Sequence, residues 1–268
     1  MDEVATDTSA ADRFEISRMA ERGISTYAPT ALRLVRACDL YRDIHARMGL
    51  IAERWDGGHP IVRAPTGLRD ELEIVYQPAE IGAELTELTM ISSEIVHHVR
   101  SSLDYCAYQT VFRDNGSPKS GTQFPLVDDE KSFERMLKSS MPGITRKHQS
   151  WVEAVQPYNG VGWTRLLKEL SNRDKHRFPI DVVDVYTFEI DRTKVFDDPL
   201  GDPDYVGYQI ESSAIEFRVS DPNDGGGNSN EVTGVLSNLL FGAVDLANRF
   251  LVDAGEPPIE VSRNDLAP

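Results

Sequence analysis

The sequence predicts an α+β fold: a predominantly α-helical core of five to six helices with two short strand pairs. Apolar residues recur at spacings of three and four over several long stretches, the signature of helices with one buried face. Two pairs of shorter segments instead alternate apolar with polar residues between turn-forming clusters, as half-exposed strands do. No internal repeat is present, so a solenoid or propeller is not expected. A chain of 268 residues can bury a sizeable core, and 40% hydrophobic with 27% charged residues is an ordinary globular composition.

Residues 1–26 read as a flexible acidic N-terminal tail, with one short helix around RFEISRMAERG that Gly23 would end. The remainder, 27–268, reads as a single α+β domain. Its helical core covers about 27–178, and a strand pair and C-terminal helix cover 179–255. Pro29 opens a first long helix carrying Leu32, Val35, Leu40, Ile44, Met48 and Ile51, which stops at Asp56-Gly57-Gly58. PIVRA and ELEIVYQ then form a hairpin around Pro65-Thr66-Gly67.

The longest helix is expected from about Ala83 to Arg113, broken by Asn115-Gly116-Ser117-Pro118. A loop through TQFPLV leads to a helix around KSFERMLKS. Ser140 and Pro142 read as the start of the next helix, with Ile144, Trp151, Val152 and Val155 on its apolar face and QPYNG at its end. WTRLLKELSNRDKHR is a shorter helix limited by Pro179. VVDVYTFEI and AIEFRVS read as strands joined by DDPLGDPDYVG. Asn230 is placed to cap the last helix, EVTGVLSNLLFGAVDLANRFLVDAG, which Gly255 and Pro257-Pro258 close. The glycine run in DPNDGGGNSN has no following Lys and carries Asp221 and Asp224, so it reads as a linker rather than a phosphate cradle.

No basic and apolar leader is visible at the start, and no run of eighteen apolar residues occurs, so no membrane association and a cytoplasmic location are expected. Cys38 and Cys106 fall among apolar neighbours and read as reduced, buried thiols. A formal charge of -16 opposes nonspecific attraction to nucleic acid or anionic lipid. The charge is uneven: Lys131 to Arg177 holds ten Lys/Arg against four Asp/Glu, whereas Phe178 onward holds five against eighteen. RNA contact through the basic segment 131–177 is therefore compatible with the sequence, as is a protein partner or a homo-oligomer.

Two segments carry candidate chemistry. On a helical wheel, Leu88, Ile95, Val99, Leu103, Cys106 and Thr110 form the core-facing arc of the longest helix. His97, Arg100, Asp104 and Tyr108 fall on the neighbouring arc, at the core margin, and His98 is turned to solvent with Glu94 and Tyr105. Arg100 and Asp104 can pair at i, i+4. In the second segment, Glu169, Asn172 and His176 share a face opposite Trp163, Leu166 and Leu170. A histidine beside an orienting amide has the composition of an acid/base pair, because its reference pKa of about 6.5 lies near neutrality.

EIVHHVRSSLDY, with its His97, Arg100, Ser101, Leu103 and Asp104, resembles the H-x-L-R-S-A-L-D-H helix of a widespread bacterial and phage family. The later FPL at 124–126, the Gln156-Pro157-Tyr158 tripeptide and the L-x-N-x-D-K-H-R segment, here Leu170, Asn172, Asp174, Lys175, His176 and Arg177, fit the same pattern. Glu94, His98 and Tyr105 depart from it. That family is distantly similar to HEPN helical domains, whose catalytic members cleave RNA without metal through an R-x4-6-H motif. Here Arg173 lies three residues before His176 and Arg165 eleven, so that spacing is not met and the cation would have to be Arg100.

Two functions follow as expectations. In one, His97, Arg100, Asp104, Asn172 and His176 form a buried polar network in a non-catalytic binding or regulatory module, with Lys175 and Arg177 as further binding residues. In the other, the resemblance implies an RNA-cleaving enzyme in which His176 transfers the proton, Arg100 stabilises phosphoryl charge and Asn172 orients the reacting groups. A metal site built on Glu94, His97 and His176 lacks the further carboxylates that bundle metal centres use, so neither metal nor other cofactor is expected.

Overall fold

The computed structural model describes residues 27–55, 61–68, 72–75, 81–176, 180, 182–219 and 230–261. Six α-helices are described: α1 (Ala28–Trp55), α2 (Gly82–Asn115), α3 (Glu130–Ser140), α4 (Arg146–Ala154), α5 (Gly162–His176) and α6 (Val232–Asp253). They accompany one antiparallel sheet of β1 (Ile61–Pro65), β2 (Glu73–Val75), β3 (Val182–Asp197), β4 (Tyr205–Val219) and the two-residue β5 (Asn230–Glu231). The α+β class with a helical core is thus the observed one. The chain groups into two compact units, Met1–Arg42 with Ile91–Ile180 and Thr233–Pro268, and Asp43–Met90 with Asp181–Val232. The tail, the short helix expected within it and the glycine run lie outside the described residues.

In the first unit, α1 and α2 run antiparallel. Tyr27 Oη meets Thr110 Oγ1 at 3.3 Å, whereas Arg33, farther along α1, meets His98, farther back along α2. All six residues of the arc assigned to the core of α2 are buried. The α3 helix starts because the Asp129 carboxylate accepts the Ser132 N–H at 2.8 Å, satisfying one of the donors every helix start leaves unpaired. The next helix does not begin at Ser140, as expected, since that residue closes α3. Gly143 takes a left-handed φ of 76°, which no helix start can contain, and Thr145 caps α4 instead by accepting the His148 N–H. A Cβ at Gly143 would also lie 2.7 Å from Asn115 Cγ, so only glycine fits.

The α5 and α6 helices approach closely at Gly242, where an added Cβ would sit 2.4 Å from Cδ2 of Trp163. A Schellman turn ends α6: Gly255 adopts φ 81°, its N–H reaches Val252 O, and Glu256 N–H reaches Leu251 O. Asn230 is not the cap of this helix, because its backbone pairs with Val219 in the sheet. Among the described residues only α6 is long and apolar enough to cross a membrane, and more than half of its most apolar stretch is buried within the protein.

In the second unit the expected two strand pairs are joined into one sheet of order β2-β1-β4-β3, with β5 on β4. The join is β1 against β4, Val62 opposite Tyr208 and Ala64 opposite Val206. Its cause is a shared apolar face: Val62, Ala64 and Tyr208 are buried together with Leu72, Ile190, Val206 and Ile210 packed on them. On the other face Arg63 lies 4.2 Å from the centroid of the Tyr205 ring and pairs with Glu73 and Asp198. The β3–β4 hairpin is longer than the alternating segments VVDVYTFEI and AIEFRVS. Register shifts at Glu189/Ile190 and Asp191/Val195 break the alternation while pairing continues to Asp197.

Candidate functional site

The Arg100–Asp104 pair forms as its spacing requires, and its role is local. Arg100 Nη2 donates to Asp104 Oδ1 and to the Phe124 carbonyl, both at 2.8 Å, and Asp104 Oδ1 accepts the Phe124 N–H at 2.9 Å. Both backbone groups of one loop residue are therefore held by side chains of a single helical turn. Two residues on, fully buried Gln156 repeats the device. Its Oε1 accepts the Val127 N–H at 3.1 Å, and its Nε2 donates to Pro125 O and Val152 O, each at 2.9 Å. Phe124–Val127 is buried without belonging to any helix or strand, so its polar backbone has no ladder to complete, and these side chains satisfy it. Arg100 is itself only 9% exposed, and its Nε is buried with no hydrogen-bond partner.

The doubled histidine is arranged opposite to the expectation. His97 is exposed, with Nε2 3.4 Å from Ser101 Oγ, whereas His98 is half-buried and its Nδ1 accepts a hydrogen bond from Arg33 Nη1 at 3.2 Å. The wheel places residues only against their own helix, and it is α1, packed on the His98 side, that decides which histidine is covered. An arginine is always a donor, so His98 Nδ1 carries a lone pair and the ring proton sits on Nε2. Burial, then the charges of Arg33, His97 and Arg36, hold the His98 pKa below the usual histidine range, which favours that neutral form.

Asn172 is exposed on α5, so it is not part of a buried network. His176 and Lys175 fall in the last turn of α5, but their side chains, like the whole of Arg177, lie outside the described residues. Glu94 is exposed as His97 is, and among the described residues no group of three potential ligands is placed to hold a metal. Both cysteines are free and buried, and burial pushes the Cys106 thiol up to about 12. A thiol held so high carries almost no thiolate at neutral pH and is not a nucleophile.

A cluster that sequence reasoning missed lies where α2, α4 and α6 meet. His148, 3% exposed, has Nδ1 2.6 Å from Asp114 Oδ2 and Nε2 3.1 Å from Asp253 Oδ2, and its ring packs against Trp151 and Phe250. Asp114 Oδ2 also accepts the Thr145 N–H at 2.8 Å. Asp253 accepts from Lys147 and from Arg113, whose Nη2 donates to the Asp253 carbonyl as well, closing the end of α6. The Lys147 hydrogen bond, followed by those of His148 and the charge of Arg113, lowers the Asp253 pKa to about 2. A histidine with hydrogens on both nitrogens donates to both carboxylates. With both nitrogens so engaged, the ring presents no free edge to a substrate proton, and the cluster acts as a clamp between three helices. A cavity of about 470 Å³ beside it is lined by Lys147, Trp151, Asn248, Arg249 and Val252, among others. The one sequence signal was the position of His148, four residues from both Ile144 and Val152 on the apolar face of α4.

Comparison with known proteins adds no precedent: no family model, no curated protein and no solved structure matches this chain.

Proposed function

We propose that this chain is a cytoplasmic, non-catalytic binding module, whose buried polar residues fix the arrangement of helices that presents a recognition surface. The observation that carries this reading is the engagement of Arg100. Its Nη2 is bonded to Asp104 and to the Phe124 carbonyl within the same unit, and Asp104 in turn holds the Phe124 N–H. A cation that served a phosphoryl group would have to leave a partly buried carboxylate, and breaking a buried pair of this kind costs roughly 3 to 5 kcal/mol. The resemblance to HEPN domains and their RNA cleavage therefore stands behind the binding reading. His148, the fully described buried histidine, is closed off in the same way by Asp114 and Asp253.

The test is direct. Purified protein is incubated with single-stranded and with structured RNA, beside His176→Ala and Arg100→Lys variants. The expected result is intact RNA in every case, with Arg100→Lys showing lowered stability only. Cleavage by the wild type that disappears in folded His176→Ala would refute the reading.

A further inference from the structure

The residues that first drew attention to VHHVRSSLDY come together on a solvent face shared by α1 and α2. Arg33 sits in the seam, bonded to His98 and 6.0 Å from the centroid of the Tyr105 ring. On the α1 side the face carries Leu32, 69% exposed, Val35, 45% exposed, and Arg36 one turn on from Leu32. On the α2 side it carries Tyr105, 39% exposed, with His97 and Ser101 on the adjoining turns. Leucine and valine one helical turn apart are on the side of α1 facing away from its buried residues Leu34, Ala37, Cys38 and Tyr41. Arg36 makes no ion pair among the described residues. Glu94 and the Arg42-bonded Asp39 are the acids that border the face.

We propose that this two-helix face docks an acidic amphipathic helix of a partner protein, laid across α1 and α2 with its apolar residues on Leu32, Val35 and Tyr105. Two antiparallel helices leave a groove that a third fills by the ordinary rules of helix packing, and an apolar strip flanked by charge is what such a helix recognises. The sign of the partner follows from charge. Arg33, Arg36 and His97 make this face locally positive on a chain of net charge -16, and the depressed His98 pKa is the local trace of that field. A second copy docked face to face would set Arg33 and Arg36 against their own equivalents, so a symmetric dimer through this surface is disfavoured. A nucleic acid would meet three cations here and the repulsion of the whole molecule.

This inference rests on the binding-module reading and names its partner, so the experiment separates the two. A fluorescein-labelled peptide of about 16 residues, roughly four helical turns, carries Leu at i, i+3, i+4 and i+7 with Glu flanks. Anisotropy is measured against full-length protein, beside a Lys-for-Glu peptide and a labelled single-stranded RNA. The acidic peptide is expected to bind, to bind more tightly as salt is lowered, and to lose about tenfold affinity in Arg36→Glu and in Leu32→Glu. Both substituted positions are exposed, so circular dichroism and Tm are expected to match wild type. Equal binding of the two peptides, no binding, or variants that bind as wild type would overturn the acidic-helix proposal and leave the module reading standing. RNA that binds through this face would likewise overturn it, and cleavage of that RNA would overturn both. Sedimentation velocity on the same samples decides the remaining occupant: a dimer dissolved by Leu32→Glu would replace the partner helix with a second copy.

Discussion

Replacing Asp104 with alanine removes one carboxylate oxygen on which two donors converge. Arg100 Nη2 loses its 2.8 Å ionic partner, and the Phe124 N–H loses its 2.9 Å acceptor. Leaving the buried end of an ion pair alone costs about 3 to 5 kcal/mol where both groups are shielded. The Asp104 side chain is 31% exposed, so water recovers part of that, and a loss of about 2 to 3 kcal/mol is expected, the orphaned Phe124 amide included. Arg100→Met/Asp104→Ala removes both charges, so it is expected to cost less than the sum of the single substitutions by about 1 to 2 kcal/mol. Urea titrations followed by circular dichroism measure all four corners of the cycle at constant m-value. A cost below about 0.5 kcal/mol for Asp104→Ala, the level of an exposed helix pair, or strict additivity in the cycle, would show that the pair is not the clamp described.

Three further outcomes are expected. The Asp253 carboxylate, held near pKa 2 against an unfolded value of about 3.9, stabilises the fold above pH 4 and loses that contribution as pH falls toward 2; in Asp253→Asn this part of the acid-unfolding profile should be absent. Native protein at pH 8 should leave Cys106 unlabelled by iodoacetamide and react there only after denaturation, and peptide mapping by mass spectrometry reads the difference. Gly242→Ala forces a Cβ into the Trp163 indole and should lower Tm measurably, with an expected cost of about 1 to 3 kcal/mol, whereas Gly234→Ala, on the same helix with open space around it, should be neutral or slightly stabilising.

How far each feature could be read from the sequence depended on how local its cause is. The core arc of α2 from Leu88 to Thr110 was legible because burial there follows the helical period alone. The Arg100–Asp104 pair was legible for the same reason, but its target was not. The Phe124 backbone lies twenty residues beyond Asp104, and no period links a helix to a segment without secondary structure. The order of His97 and His98 failed because the covering surface comes from α1. Joining the hairpins through β1 and β4 was hidden by sequence distance, since Val62 and Tyr208 meet across most of the chain. The Asp114–His148–Asp253 clamp joins residues on three separate helices, and only the placing of His148 on an apolar face hinted at it.

The Phe124–Val127 segment has a consequence for how order is measured in this protein. Its amides belong to no helix or strand, yet Phe124 and Val127 donate to buried side-chain oxygens of Asp104 and Gln156. Their hydrogens should exchange with solvent as slowly as those of helix interiors, a protection map that secondary structure alone would not draw. Information specifying the shape of this stretch is stored elsewhere in the chain, in three side chains on its neighbours. The residues just before it, 117–123, are thereby free to vary in sequence and length, because nothing in their own spelling holds the segment that follows.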